Sequence, residues 1–251
     1  MANYTLLSIL IPVFNEERCL PELLRRLGAV AFPLAVEIVL ADDGSTDGTG
    51  AILASLVGDP RYVVVRLGEN RGKAAAVQLA IEHAHGDLFV IQDADLEYDP
   101  AELPRLLEPI LTGAAEVVYG SRFLGRLDGM KPLYSWGNRF LTWVTNRLYH
   151  TQLTDMETCY KVAPGALYRR LAIESARFEM EPEITAKLLL QGCSIVEIPI
   201  SFHGRGRGEG KKISWVDGFG ALRVLWRYRR WTPEHEISSK SPVPELQNPS
   251  P

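Results

Sequence analysis

The sequence contains few of the features that mark secreted or membrane-spanning proteins. Its three cysteines, Cys19, Cys159 and Cys193, are widely spaced and odd in number. They form no CxxC or Cys/His pattern of metal-ligand spacing, so we expect buried free thiols in a reducing cytoplasm. No apolar stretch reaches the ~20 residues that a membrane-spanning helix needs. The N-terminus shows no basic segment followed by an apolar run and a small-residue cleavage site, so we expect no secretory signal.

Strong charge and the common phosphate-binding motifs are also missing. The formal net charge is only −4, which gives no reason to expect bulk binding of nucleic acid. No GxGxxG follows the first predicted strand and no GxxxxGK[ST] occurs, which argues against a dinucleotide-dependent oxidoreductase and a P-loop ATPase. What the chain does have is 46% hydrophobic residues over 251 positions, enough for one α/β domain with its own core.

Apolar runs alternate with helical patterns through the first half of the chain. Strands are predicted at residues 5–14, 36–41, 62–67, 87–92 and 116–119. Between them, apolar residues recur at helical spacing, as at Leu20, Leu23 and Leu27. This β-α order predicts a largely parallel sheet with helices on both faces. Ligands of such sheets bind beyond the carboxyl ends of the strands, so we expect the chemistry there.

The second half of the chain is less regular. Its predicted elements are an aromatic helix at 133–149, helical structure at 165–195, a strand at 195–202, a basic glycine-rich loop at 203–212 and a basic aromatic helix at 213–231. Pro, Ser and Glu dominate from Thr232 onward, which is typical of disorder. We therefore predict a single domain over residues 1–231 and a disordered tail over 232–251.

Acidic residues alternate directly after the fourth predicted strand, at Asp93, Asp95 and Glu97. Carboxylates at this spacing can bind Mg²⁺ or Mn²⁺ while leaving coordination sites for phosphate oxygens. The alternative is a solvated turn, because a DxD triplet alone is common in loops. Basic residues on neighbouring loops, among them Lys73 and Arg122, favour the metal site and suggest a diphosphate ligand.

Asp42 and Asp43 end the second predicted strand and begin the segment DDGSTDGT. Most of this segment is typical of turns and helix starts, which is the simpler interpretation of Ser45, Thr46 and Asp47. An acid at the strand end can instead accept hydrogen bonds from a base edge or a ribose hydroxyl. We therefore predict a nucleotide-binding role for Asp42 and Asp43.

Taken in order, the motifs PVFNE, DDGSTDGT, RGK, QDADLE and GSR resemble the family 2 inverting glycosyltransferases. The segments Thr154–Lys161 and Gly208–Ile213 are similar to the dolichyl-phosphate mannose synthase and polyprenyl-phosphate glycosyltransferase branch of that family. The resemblance covers the chain from about Leu7 to about Gly220. It implies the GT-A fold, a Rossmann-like, mostly parallel sheet flanked by helices.

The resemblance also implies a role for each matched position. The nucleotide-binding positions are Pro12, Asn15, Glu16, Asp42, Asp43, Lys73 and Asp93. The metal-binding positions are Asp93, Asp95 and Glu97, the last being Gln in many relatives, which is also an oxygen donor. The phosphate-binding positions are Arg122, Arg139, Arg205, Arg207 and Lys211. The register of the Arg-Gly-Arg-Gly run leaves open whether Arg205 or Arg207 contacts phosphate.

The implied reaction is inverting transfer of a hexose, with mannose favoured, from a nucleotide-sugar to dolichyl or undecaprenyl phosphate. GDP-mannose is the expected donor and UDP-glucose the second choice. Asp95 and Arg122 would act on the leaving diphosphate, through the metal and directly. A phosphate acceptor is already ionised, whereas a sugar hydroxyl would need a general base, for which Asp155 or Glu157 is the candidate. A surface turn with a helix cap is the alternative interpretation of these two acids.

Two other classes of function stay open on the sequence alone. A nucleotidyltransferase would need a glycine-rich phosphate loop with a lysine after the first strand, where this chain has PVFNE. A non-catalytic subunit that binds nucleotide-sugars is the other alternative, against which the intact DAD triplet and the basic loop argue.

Aromatic residues concentrate in two predicted helices. In 133–149, Trp136, Phe140 and Trp143 lie near helical spacing, which fits either a core-facing helix or a surface that receives a lipid chain. In 213–231, basic and aromatic residues are expected on opposing faces, as in helices that lie on anionic membranes, although a packing helix with a basic end is the alternative. We expect peripheral contact with the cytoplasmic face of a membrane, directly or through an anchoring subunit.

Overall fold

The structure of the protein, a computed structural model, describes residues 3–175, 179–204 and 215–232. Within these ranges the strands are β1 (Leu6–Val13), β2 (Ala35–Asp42), β3 (Tyr62–Arg66), β4 (Leu88–Ile91), β5 (Val117–Ser121), β6 (Leu127–Asp128), β7 (Lys161–Pro164), β8 (Ile195–Pro199) and β9 (Phe202–His203). The helices are α1 (Leu20–Ala29), α2 (Thr49–Leu56), α3 (Lys73–His83), α4 (Leu103–Leu111), α5 (Pro132–Tyr149), α6 (Gly165–Arg170), α7 (Met180–Leu190) and α8 (Trp215–Tyr228).

Seven of these strands form one sheet in the order β3-β2-β1-β4-β7-β5-β8. All neighbours are parallel except β7, which runs antiparallel to both β4 and β5. Successive residues of β1 alternate between two buried clusters: Leu10 faces the one that includes α3 and α7, while Ile9 and Ile11 face the one that includes α1 and α4. The predicted mostly parallel sheet with helices on both faces is confirmed.

The break after α6 differs from the prediction of helical structure over 165–195, and the strand β7 just before this range was not predicted. β7 is a four-residue strand whose partners lie far away along the chain, so no local periodicity marks it. After α6 the chain turns at Ala172, which has a φ of 44°. The buried ammonium of Lys187, one turn before the end of α7, donates to the carbonyls of Leu171 and Ala172, each at 2.8 Å. This long-range contact accommodates the break between the two helices.

The aromatic helix α5 has one side that packs on the core and one side that is exposed. Val144 and Leu148 pack against the buried core, whereas Trp136 and Trp143 are 76% and 59% exposed. α8 packs against α5 and α7, and the Tyr149 hydroxyl donates to the carbonyl of Leu225 at 2.6 Å. Within the part of the chain that the structure describes, no helix combines the length and apolarity that crossing a membrane requires.

Candidate active site at the carboxyl edge of the sheet

The loops that follow β1 and β2 interlock through hydrogen bonds. Asn15 adopts a left-handed conformation with a φ of 54°. Its amide donates to Ser45 Oγ at 2.9 Å, and its Oδ1 accepts from the amide of Thr46 at 2.8 Å. One residue later, the Glu16 amide donates to Thr49 Oγ1 at 2.9 Å. The PVFNE and DDGSTDGT motifs therefore form one unit, in which Asn15 has a structural role.

Asp42 and Pro12 lie at the ends of two paired strands. Pro12 is opposite Ala41 in the register of β1 and β2. The buried Asp42 accepts a hydrogen bond from the Ser45 amide at 2.8 Å and forms an ion pair with Arg66 at 3.0 Å. Its carboxylate thus holds the turn of the DDGSTDGT segment at the end of β2.

Asp43 shapes the loop that leads into α3. Its two carboxylate oxygens accept from the amides of Arg71 and Gly72, at 2.7 and 2.9 Å. Next to it, Gly44 has a φ of 73°, and a Cβ there would lie 2.7 Å from the carbonyl carbon of Glu69. The approach of these two loops therefore requires glycine at position 44. Asp43 brings the RGK motif to the edge of the sheet.

Lys73, the first residue of α3, connects the two halves of the site. Its ammonium lies 2.7 and 3.0 Å from the two oxygens of Asp93, and 3.3 Å from Glu181 of α7. Burial opposes the charge of this lysine, but Asp93 and Glu181 outweigh that effect and raise its pKa above the usual value. Glu181 also pairs with the buried Lys161 of β7, whose ammonium donates to the carbonyl of Thr158.

The acidic triplet continues from the end of β4 in a tight turn. Asp95 Oδ1 accepts from the Glu97 amide at 3.1 Å, and Leu96 between them has a φ of 63°. The Glu97 carbonyl accepts from the His203 amide at 2.9 Å, so β9 runs beside this turn. The chain that leads to the predicted basic loop is thereby placed next to the acidic loop, while Arg205, Arg207 and Lys211 themselves lie outside the described residues.

A divalent cation fits the chemistry of this loop, although not as a preassembled cage. Over residues 3–175, 179–204 and 215–232, no group of three or more His, Cys, Asp or Glu side chains is arranged to hold a metal ion. Mg²⁺ commonly uses one or two protein carboxylates and completes its shell with water and substrate phosphates. Asp93 and Asp95 offer such oxygen donors on one loop, where Lys73 now neutralises Asp93.

Arg122 and Asp155, both predicted to be catalytic, bind each other. Arg122 Nε and Nη2 donate to the two Asp155 oxygens at 2.6 and 2.7 Å, and the Arg122 amide donates to the same carboxylate at 3.0 Å. Burial opposes the charge of Arg122, but Asp155 prevails and holds its pKa well above the usual value. Because the Arg122 guanidinium engages both oxygens of Asp155, this geometry favours a positioning role for Asp155 over proton transfer.

Glu157 has the opposite character. Its Oε1 is buried and has no hydrogen-bond partner among the described residues. Burial raises the pKa of Glu157 to about 7; Lys161 and Arg122 lower it, while Glu181 and Asp155 raise it further. A carboxyl group with a pKa near the working pH can accept or donate a proton, so the structure favours Glu157 over Asp155 as the acid–base candidate.

The remaining predicted phosphate ligand, Arg139, lies on the exposed side of α5. Its guanidinium stacks over the ring of Phe123 at 4.2 Å, one residue from Arg122.

Two further carboxylates of the site, Glu181 and Glu197, were not predicted from the sequence. Glu197 accepts from the amides of Thr154 and Asp155, at 2.7 and 2.9 Å, and burial raises its pKa. The only sequence signal for Glu197 was an acid within an otherwise apolar strand, IVEIP. Hydrophobic periodicity alone does not say what such an acid does.

Parallel strands whose carboxyl ends carry interlocked acidic and basic loops define an α/β protein of the kind that binds its ligands at this edge of the sheet. Residues 8–176 match the family Glycosyl transferase family 2, and the chain belongs to that family. The predicted family membership is therefore confirmed.

Two similar proteins have names that refer to a lipid phosphate. The chain is 30% identical over 234 residues to a dolichol-phosphate mannosyltransferase of Pyrococcus furiosus, covering 90% of this chain and 64% of that protein. It is 34% identical over 226 residues to an undecaprenyl-phosphate 4-deoxy-4-formamido-L-arabinose transferase of Pseudomonas aeruginosa, covering 88% of this chain and 62% of that protein. The chain thus spans less than two thirds of the length of these relatives.

Solved structures share the fold at low sequence identity. Glucosyl-3-phosphoglycerate synthase from Mycobacterium tuberculosis in complex with UDP aligns with a TM-score of 0.70 at 17% identity, over 90% of this chain and 80% of that one. The same enzyme in complex with Mn²⁺, UDP and glucosyl-3-phosphoglycerate aligns with a TM-score of 0.65. These alignments confirm the predicted GT-A fold.

Proposed function

We propose that the protein is an inverting glycosyltransferase that moves a hexose from a nucleotide-sugar to a polyprenyl phosphate. The observation that carries this proposal is the contact of Asp93 with Lys73, which directly follows the two residues whose amides Asp43 binds. The names of the two relatives, both lipid-phosphate sugar transferases, support the acceptor class. Mannose is the favoured sugar, with GDP-mannose as donor and UDP-glucose as the second choice.

The donor would lie along the carboxyl edge of the sheet. Asp42 and Asp43 end β2 where a base and ribose would bind, and Lys73 would supply a cation for the diphosphate. Asp93 and Asp95, with Glu97 beside them, would hold Mg²⁺ or Mn²⁺. That ion would stabilise the charge that develops on the leaving diphosphate. The acceptor phosphate, already an anion near neutral pH, attacks the anomeric carbon from the opposite face without a strong base.

A second acceptor class is favoured by one specific observation. Glu157 has a buried oxygen without a hydrogen-bond partner among the described residues, and burial raises its pKa to about 7, which suits a general base. A sugar hydroxyl needs such a base, whereas a phosphate does not. If the acceptor is a hydroxyl, Glu157 would remove its proton during attack.

The exposed face of α5 supports peripheral contact with the cytoplasmic face of a membrane. Leu133, Trp136, Phe140 and Trp143 recur along one side of the helix and are all exposed. Exposed apolar side chains of this size are typical of interaction sites. The neighbouring Lys131 and Arg139 would meet anionic headgroups. A membrane contact here would bring the site towards a lipid-bound acceptor.

A nucleotide-release assay tests the proposed reaction. Purified protein is incubated with Mn²⁺ and either GDP-mannose or UDP-glucose, with polyprenyl phosphate, with a panel of sugars, or with neither acceptor. We expect nucleotide release only with the lipid phosphate, and loss of release in Asp95→Ala but not in Asp59→Ala, a surface carboxylate remote in sequence from the acidic loop. Release only with a sugar acceptor would favour the second class, and no release with any combination would contradict the proposed function.

A further inference from the structure

Glu181, to which the proposed reaction assigns no role, lies within a partly buried chain of charges. It comes from α7, in the second half of the chain, and is only 5% exposed. One of its oxygens lies 3.3 Å from the ammonium of Lys73, and the other pairs with Lys161. Lys73 in turn contacts both oxygens of Asp93. The order of contacts is therefore Asp93, Lys73, Glu181 and Lys161.

The charges along this chain balance in pairs. Lys73 and Lys161 supply two positive charges, and Asp93 and Glu181 supply two negative ones. Charges in a poorly hydrated site interact more strongly than at the surface, so the loss of one carboxylate is felt by its neighbours. Without Glu181, two ammonium groups would face Asp93 alone. Asp93 would then be a poorer partner for a cation, and the whole edge would attract anions more strongly.

We propose that Glu181 is a positioning residue that sets the balance between cation and anion binding at the Asp93 site. It holds Lys73 between two carboxylates and compensates Lys161, which leaves Asp93 with negative charge available to a divalent ion. The same contact keeps the Lys73 ammonium at the edge where a diphosphate would bind. This inference rests on the proposed function, because it assumes that Asp93 serves a metal-assisted nucleotide site.

A charge-neutralising substitution, Glu181→Gln, tests the proposal, with Glu183→Gln as a matched control. Glu183 lies on the same helix, is fully buried and pairs with Lys187 at 2.6 Å, but it does not contact Lys73 or Lys161 in the described structure. Mn²⁺ binding is measured by electron paramagnetic resonance without nucleotide. Binding of UDP and of GDP is measured by calorimetry in EDTA.

We expect opposite shifts in Glu181→Gln: Mn²⁺ affinity falls on the order of tenfold while metal-free nucleotide affinity rises, since a unit charge is lost at short range. Glu183→Gln should change thermal stability but neither affinity. A purely structural role for Glu181 would weaken both ligands together, and this result, or unchanged affinities, would overturn the proposal.

A double variant guards against loss of folding in Glu181→Gln. Glu181→Gln combined with Lys161→Met restores the net charge, so we expect Mn²⁺ affinity to return towards that of the wild type. Failure of this restoration in a folded double variant would also overturn the proposal. Wild-type protein that binds neither Mn²⁺ nor either nucleotide would instead contradict the proposed function itself. The two failures are therefore distinguishable.

Discussion

Arg122 and Asp155 form an ion pair that is buried on both sides, with side-chain exposures of 7% and 0%. Removing one partner of such a pair leaves the other charge buried without compensation, which costs about 3–5 kcal/mol. We expect Asp155→Asn to lower the free energy of unfolding by about that amount, as measured by urea denaturation.

Asp59→Asn is the matched control for this prediction. Asp59 also binds an arginine through two oxygens, Arg61, but that pair lies on the surface. Exposed pairs contribute little to stability, so we expect a much smaller loss. Equal losses in the two variants would show that burial does not determine the contribution of the Arg122 pair.

Glu157 predicts a pH dependence of stability. Its pKa is about 7 in the folded protein and ordinarily 4.5, so the unfolded chain ionises first as the pH rises. The contribution of this carboxyl group to the free energy of unfolding is therefore fully present below pH 4.5 and is lost as the pH rises through 7. We expect Glu157→Gln to be more stable than the wild type at pH 8, by about 3 kcal/mol, and to lose this advantage near pH 4. A constant difference across denaturation curves at both pH values would contradict the pKa shift.

At the scale of elements, the loops that follow the strands hold one another in place around the site. The loops after β1, β2 and β3 are joined by side-chain to backbone hydrogen bonds from Asn15, Ser45 and Asp43. Each loop begins at the end of a strand, and the neighbouring loop supplies the hydrogen-bond partner that holds it. A change in one loop is therefore expected to move the next one.

Gly44→Ala tests this coupling between loops. The new Cβ would lie 2.7 Å from the carbonyl carbon of Glu69, so the loop that carries the RGK motif has to move. We expect weaker binding of nucleotide and a stability loss of about 2 kcal/mol or more. Gly58→Ala is the control, because Gly58 also has a positive φ, 98°, but open space around it. It should lose stability through backbone strain alone and keep its nucleotide affinity, and similar affinity losses in both would contradict the coupling.

Local patterns predicted most elements but missed the one that joins the two halves of the sheet. The first five strands and the helices between them follow hydrophobic periodicity, and each was predicted within a few residues. β7 is too short for a period, and its antiparallel pairing with β4 and β5 depends on residues more than forty positions away. The interruption of the predicted helix at Ala172 likewise depends on a contact from Lys187.

At the scale of the whole molecule, the exposed stripe of α5 predicts attachment to a surface. We expect Trp136→Ser with Trp143→Ser to reduce cosedimentation with vesicles that contain anionic lipid, because the two indoles are the largest exposed apolar groups of the stripe. Val57→Ser removes an exposed apolar side chain elsewhere and should leave sedimentation unchanged. Undiminished binding of the double variant would exclude this face as the membrane contact.

Some residues of the candidate site were recognised from local motifs, whereas the roles of others depend on contacts from distant segments. The acidic triplet, the DDGSTDGT segment and the RGK motif were recognised from residue type and order, and the structure brings Lys73 of the last motif against Asp93 of the first. The partner of Arg122, and the difference between Asp155 and Glu157, depend on burial that no local pattern reports. No role was predicted for Glu181 or Glu197, because their contacts come from distant segments.

The sequence by itself determined the fold class and the family, and it predicted the edge of the sheet where we propose the chemistry, because periodicity and motif order are local properties. Only the tertiary structure decided which charges are paired and which are exposed to a ligand. The strength of a charge depends on its distance from other charges and from water, and those distances are set by strands and helices far apart along the chain.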